Sequence, residues 1–180
     1  APHHGNWEMV GLYLSTLRPM AALYKPPKIK ALEAYMSGVR GRHGSELVPT
    51  NKSGVIRLFS ILSNKGMVGI LPDQVPGGNG GINAPFMGVP ANTIKLVARL
   101  INRTDCEVVS LCAERLPNAE GFNMVFRPAD PEIYSDDVEI SVAALNRSVE
   151  NCVRDNPAQY QWEYKRFKGM RINGNKVYKK

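Results

Sequence analysis

The sequence predicts an α/β fold in which a central, mostly parallel mixed sheet is flanked by helices. Candidate helices and strands alternate along the chain. The segment Met67 to Leu71 is nearly all apolar, as a strand buried on both faces must be. With 180 residues and 43% hydrophobic content, residues 1–180 suffice for a single domain with a real core.

The apolar run Trp7 to Leu17 reads as the first helix, entered through the tight turn Gly5-Asn6 and closed near Arg18-Pro19. Glu8 falls in its first turn, where an anion is favoured. Ala21 to Tyr24 is a short strand stopped by Pro26-Pro27. Lys28 to Val39 follows as an amphipathic helix with Ile29, Leu32, Tyr35 and Met36 on one face. Glu46 to Pro49 is extended. Ser53 is a suitable N-cap for a helix reaching Asn64, and Lys65-Gly66 turns the chain into the Met67 to Leu71 strand. Pro72 to Asn92 reads as a Gly- and Pro-rich loop, long enough to suggest function. Thr93 caps a helix to about Arg103. Two strands, Glu107 to Glu114 and Gly121 to Arg127, flank the turn residues Pro117-Asn118. Val138 to Asn156 is a long helix with Ile140, Ala144, Leu145, Val149 and Cys152 inward. There are no internal repeats and no low-complexity segment.

The 23 Lys and Arg against 16 Asp and Glu give a formal charge of +7, which favours anionic partners: nucleic acid, anionic lipid headgroups or an acidic carrier protein. No RNA-binding signature, zinc-finger spacing or helical basic stripe with interleaved aromatics occurs, so no nucleic-acid partner is expected. Cys106, Cys112 and Cys152 are odd in number and lack C-x-x-C spacing, which suggests buried small hydrophobes in a reducing environment. No apolar run of about 18 residues is present to cross a membrane.

The chemistry-bearing feature is Ala1-Pro2-His3-His4-Gly5-Asn6-Trp7-Glu8. An imidazole with an ordinary pKa near 6.5 suits proton removal at neutral pH, and a carboxylate beside it fixes the tautomer and stabilises the imidazolium. His3 sits just before the helix, from where its side chain can turn back toward Glu8. A surface histidine next to a turn is the competing reading, and His4 is the alternate base.

His3-x4-Glu8 is followed in order by Arg40-Gly41-Arg42-His43-Gly44, Gly69-Ile70-Leu71-Pro72-Asp73-Gln74 and Ala84-Pro85-Phe86-Met87-Gly88. The ending Asn156-Pro157-Ala158-Gln159-Tyr160-Gln161-Trp162, then Lys165-Arg166-Phe167-Lys168, completes the set. Together these resemble the lipid A biosynthesis acyltransferases, the lauroyl and myristoyl transferases of Gram-negative bacteria within the glycerolipid acyltransferase group. The resemblance covers almost the whole chain. It implies that His3 deprotonates an acceptor hydroxyl, which attacks an acyl group carried on acyl carrier protein, with Glu8 supporting the histidine. It implies acyl carrier protein and a phosphorylated glycolipid as partners, no cofactor, no metal, and a place on the cytoplasmic side of the inner membrane. The chain opens inside the first motif without an initiator Met, so an upstream part with a membrane anchor and the first fold elements is expected. Another glycolipid or lysophospholipid acceptor, and a non-catalytic domain that binds anionic lipid or carrier protein, are the alternatives.

Four further residues are candidates for substrate binding. Arg40, beside Gly41, would present its guanidinium to a phosphate, whereas Arg42 is read as a solvated charge and His43 as a turn residue. Asp73 and Gln74 follow a buried strand at its C-terminal end, where open α/β sheets place functional groups; Asp73 would orient a substrate amine or hydroxyl, position an arginine, or simply cap the loop. Pro76 to Gly81 lacks the Gly-Lys-Ser/Thr ending of a nucleotide loop and is read as a lid or a passive connection. Pro85, Phe86 and Met87 would line the apolar side of the site, with a core role for Phe86 as the alternative. Tyr160, Trp162, Tyr164 and Phe167 alternate with Lys165, Arg166, Lys168 and Arg171, a mixture suited either to a membrane interface or to packing on the sheet, with packing favoured for Trp162. Lys176, Lys179 and Lys180 are read as a frayed end.

Overall fold

The structure is a computed structural model that describes all residues except Lys25, Lys28, Arg42, His43, Lys179 and Lys180, and the side chain of Lys30. The expectations for Arg42, His43, Lys179 and Lys180 therefore lie outside the described residues. In chain order the elements are α1 Trp7–Leu17, β1 Met20–Tyr24, α2 Lys30–Arg40, β2 Glu46–Pro49, α3 Lys52–Ser63, β3 Met67–Gly69, β4 Gly81–Phe86, β5 Val89–Ile94, α4 Leu96–Thr104, β6 Val109–Arg115, β7 Phe122–Pro128, α5 Val138–Asp155, β8 Arg171–Ile172 and β9 Asn175–Lys176.

The α/β class holds, but the strands do not form one central sheet. A three-stranded parallel sheet in the order β2-β1-β3 stands beside three antiparallel pairs, β4-β5, β6-β7 and β8-β9. Helices α3 and α4 cover the parallel sheet, where Ala21, Val48, Leu58 and Leu100 form one buried cluster. Helix α5 joins the remaining layers. Its Ala144 and Leu145 pack against Ile101 and Ile133, while Val149 and Val153 pack against Phe86, Ala91 and Tyr160. Ile140, expected inward, is 43% exposed because it lies in the first turn of α5, before the helix reaches its buried stretch.

The segment expected to be a bare loop from Pro72 to Asn92 contains the β4-β5 hairpin. Pro85 and Pro90 sit opposite each other in its ladder, and proline is a signal against strand because it donates no N–H. The connecting Met87 and Gly88 both have positive φ, 49° and 77°, as a two-residue primed turn requires. Thr93 is consequently a buried strand residue rather than a helix cap, and α4 starts at Leu96 after Lys95. Asn51, not Ser53, caps α3 by accepting a hydrogen bond from the Gly54 N–H at 2.9 Å. Of the apolar face read for the second helix, Ile29, Leu32 and Tyr35 are 65%, 44% and 66% exposed, while Met36 is half-buried.

Candidate active site

The first residues of the chain are stitched between two segments distant in sequence. The Gly5 N–H donates to Gln159 O at 2.9 Å, the Asn6 N–H to Ala113 O at 2.8 Å, and the Gln161 N–H to His3 O at 3.1 Å. Gly5 has φ +59° and bridges Ala113 of β6, so only a residue without Cβ suits both its conformation and its closeness to that strand. This pins His3 where the ends of β3, β6 and the C-terminal segment converge.

Asp73 enters the same point from beyond β3. It is 3% exposed and accepts two hydrogen bonds from His3: the main-chain N–H reaches Oδ2 at 2.8 Å, and ring Nδ1 lies 2.7 Å from Oδ1. With the carboxylate accepting, Nδ1 is assigned the proton, leaving Nε2 with a lone pair. Gln74 Nε2 then donates toward His3 Nε2 at 3.2 Å. Trp7 meets the imidazole edge-on, with centroids 5.1 Å apart. Burial pushes the Asp73 carboxyl upward, yet the hydrogen bonds and charge of His3 outweigh it and hold its pKa below the ordinary carboxylate range. The Asp73 carboxylate is lost only as the pH falls through that depressed value.

The carboxylate beside the imidazole is thus Asp73, and not Glu8 as the motif spacing suggested. Glu8 instead takes a two-pronged hydrogen bond from Arg40, whose Nε lies 3.0 Å from Oε2 and whose Nη2 meets Oε1. The Arg40 guanidinium is also held between the rings of Trp7 and Tyr24, 5.3 Å from each centroid. The pair locks α1 to the end of α2. His4 is no alternate base: it is 1% exposed, and its Nε2 is bound to the carbonyl of Asn156 at 2.7 Å. Phe86 is 1% exposed and packed among Tyr160, Phe167 and Arg166, so it is a core residue and does not touch the site. Just before the Gly-rich segment, the Val75 N–H donates to the Tyr164 hydroxyl at 2.8 Å.

A cavity of about 1180 Å³ opens beside these residues. Its lining includes Trp7, Glu8, Arg40 and Pro72, and continues into apolar side chains such as Leu14 and Leu100. Among the described residues no cluster of three or more metal-binding side chains occurs, and no helix is long and apolar enough to cross a membrane. Residues that the sequence did not single out for the site are those behind Asp73. Tyr160 is one of them: burial together with the Asp73 charge pushes its pKa above the ordinary phenol value. Their signal was the C-terminal aromatic and basic block.

This arrangement can take a proton at Nε2 while a buried carboxylate steadies the resulting imidazolium. A family model described as bacterial lipid A biosynthesis acyltransferase matches residues 1–169. The chain is similar to a lipid A biosynthesis palmitoleoyltransferase of Escherichia coli K12, 24% identical over 180 residues, which covers 98% of this chain and 57% of that protein. It is also similar to the lauroyltransferase of the same organism, 25% identical over 174 residues, covering 89% and 55% respectively. A lipid A biosynthesis acyltransferase of Haemophilus influenzae Rd is 24% identical over 162 residues, covering 89% and 50%. The chain spans about half the length of the curated relatives it matches.

Proposed function

Since the chain belongs to the bacterial lipid A biosynthesis acyltransferase family, we propose that it carries the base of an O-acyltransferase. The enzyme moves a fatty acyl chain from an acyl carrier protein thioester to a hydroxyl of a phosphorylated lipid A precursor, at the cytoplasmic side of the inner membrane. The observation that supports this is the row Asp73, His3, Gln74: a buried carboxylate 2.7 Å from Nδ1 and an exposed amide 3.2 Å from Nε2.

In the proposed reaction the acceptor hydroxyl replaces the Gln74 amide at Nε2 and gives up its proton there as its oxygen attacks the thioester carbonyl. The tetrahedral intermediate then expels the thiolate, which recovers the proton from the imidazolium. Asp73 remains a carboxylate throughout and holds the ring in the productive tautomer. Gln74, exposed beside Nε2, is positioned to hydrogen-bond the acceptor. The neighbouring cavity supplies apolar wall for the acyl chain, worth roughly 0.8 kcal/mol for each methylene buried.

Glu8 acts in this scheme through Arg40. By occupying Nε and Nη2 it fixes the guanidinium at the cavity wall, with Nη1 left for an acceptor phosphate. Arg40→Ala is expected to raise the KM for the phosphorylated acceptor about tenfold or more with kcat changed little, and Glu8→Ala to follow in the same direction. Acceptor kinetics at fixed donor concentration measure both. An unchanged KM in Arg40→Ala removes the phosphate role.

The central test is His3→Ala in the full-length protein, assayed for acyl transfer from lauroyl, myristoyl and palmitoyl carrier protein to a phosphorylated lipid A precursor. Transfer is expected to vanish while circular dichroism remains that of the wild type. Wild-type turnover in this variant would refute the general-base assignment, and wild-type protein that binds carrier protein yet transfers nothing would make it a binding domain.

A further inference from the structure

The segment that closes the chain carries exposed charge that the chemistry above does not use. Lys165, Lys168, Arg171 and Lys176 are all exposed, and Glu163 is the lone carboxylate in the stretch 160–178. None of the four cations has a carboxylate partner among the described residues, whereas Arg57, Arg127, Arg147 and Arg154 elsewhere on the surface are each paired with one. The segment folds back on itself, which gathers these charges. The Phe167 N–H donates to the Tyr178 hydroxyl at 3.3 Å, the Val177 N–H donates to Met170 O at 3.2 Å, and Lys165 Nζ lies 5.7 Å from the Tyr178 ring centroid. In the β8-β9 pair Arg171 stands directly opposite Lys176. Like charges in that arrangement repel and weaken the pair, so an anionic partner laid across them would stabilise it.

The same segment is fastened beside the candidate base. The Gln161 N–H donates to His3 O at 3.1 Å, and the Tyr164 hydroxyl accepts from the N–H of Val75, the residue after Gln74. Lys165 follows Tyr164 directly, so the cationic surface begins where the site ends. An element that enters a lipid surface sets a broad apolar face beside its cations. Here the hairpin turns through Asn173-Gly174, and Ile172 is its single apolar side chain. Exposed point charges on a polar hairpin match an acidic protein surface, where complementary charge speeds encounter and fixes orientation.

We infer that the closing segment is the docking surface for the acidic carrier protein that bears the thioester, with Lys165, Lys168, Arg171 and Lys176 meeting its carboxylates. The identity of this partner rests on the acyltransferase reading. Docked there, the carrier protein would present its thioester next to Nε2 of His3.

The test uses the full-length protein and purified carrier protein, with binding measured by calorimetry on carrier protein without an acyl chain. The variant Lys165→Gln/Lys168→Gln/Lys176→Gln leaves Arg171 to hold the hairpin through its bond to Gly174 O. It is expected to weaken binding about tenfold, and wild-type binding is expected to weaken as ionic strength rises through about 0.15 M. Lys52→Gln/Arg99→Gln/Arg103→Gln removes as many cations from α3 and α4 and is expected to bind as wild type does. In kinetics the first variant should raise the KM for acyl carrier protein about tenfold with kcat little changed, and leave the KM for the acyl pantetheine thioester, which has no protein to dock, where it was. Unchanged carrier-protein binding in the first variant, equal weakening in the two variants, or equal KM changes for the two donors would each overturn the inference. So would loss of binding to phosphatidylglycerol vesicles with carrier-protein binding retained, which would assign the surface to lipid. Should the triple variant fail to fold, unchanged binding in the single charge reversal Lys168→Glu overturns it. Calorimetry needs no turnover, so its result stands apart from the His3→Ala assay that judges the base.

Discussion

Asp73→Asn is expected to lower kcat by roughly a thousandfold or more while leaving substrate KM values nearly unchanged. The reason lies in the two hydrogen bonds His3 makes to this side chain. Both carboxylate oxygens accept, one from the His3 main-chain N–H at 2.8 Å and one from ring Nδ1 at 2.7 Å. Asparagine offers one acceptor and one donor. The main-chain N–H is always a donor, so the amide oxygen must face it and the NH₂ must face Nδ1. That forces the proton to Nε2, the atom that has to receive the hydroxyl proton. The imidazolium also loses its neighbouring negative charge. Steady-state kinetics with purified carrier-protein thioesters measure the change, and a kcat within tenfold of wild type would show that Asp73 does not govern the tautomer.

The second large effect is on stability. Gly5→Ala is expected to destabilise the fold by about 3–5 kcal/mol, from the cost of positive φ in an alanine and of overpacking against rigid backbone. An added Cβ would stand 2.0 Å from the Ala113 carbonyl oxygen and 2.9 Å from its carbon, at φ +59°. No side chain can swing away to make room, since the obstacle is the main chain of β6. Relief requires pulling residues 3–6 off Ala113 and Gln159, which removes the Asn6 to Ala113 and Gly5 to Gln159 hydrogen bonds and displaces His3. With total stabilities of order 5–15 kcal/mol, this would leave much of the protein unfolded on mild heating. Denaturant titration checks it, and a stability within 1 kcal/mol of wild type would mean that the close approach to β6 is not maintained in solution.

Where the sequence was legible, local signals carried the information. Helix α1 begins and ends where its apolar run does, and α5 matches its periodic segment to within one residue. The hairpin within 81–94 was missed because Pro85 and Pro90 speak against strand locally, although each occupies a position its partner leaves undemanding. The exposed Ile29, Leu32 and Tyr35 show the limit of periodicity, which finds an apolar stripe without saying what covers it. His3, Asp73 and Gln74 were each visible as candidates, but their grouping was not.

By itself the sequence determined the α/β class, the bounds of α1 and α5, the candidacy of His3 and the family to which the ordered motifs belong. Only the tertiary structure decided the partners. It gave Asp73 rather than Glu8 to His3, Glu8 to Arg40, and Phe86 to the core. The physical reason is separation along the chain. A side chain and its neighbour five residues away share one helix entry, so spacing can suggest their contact. His3 and Asp73 are 70 residues apart; their meeting depends on how β3, β6 and the C-terminal segment pack, which no local pattern encodes.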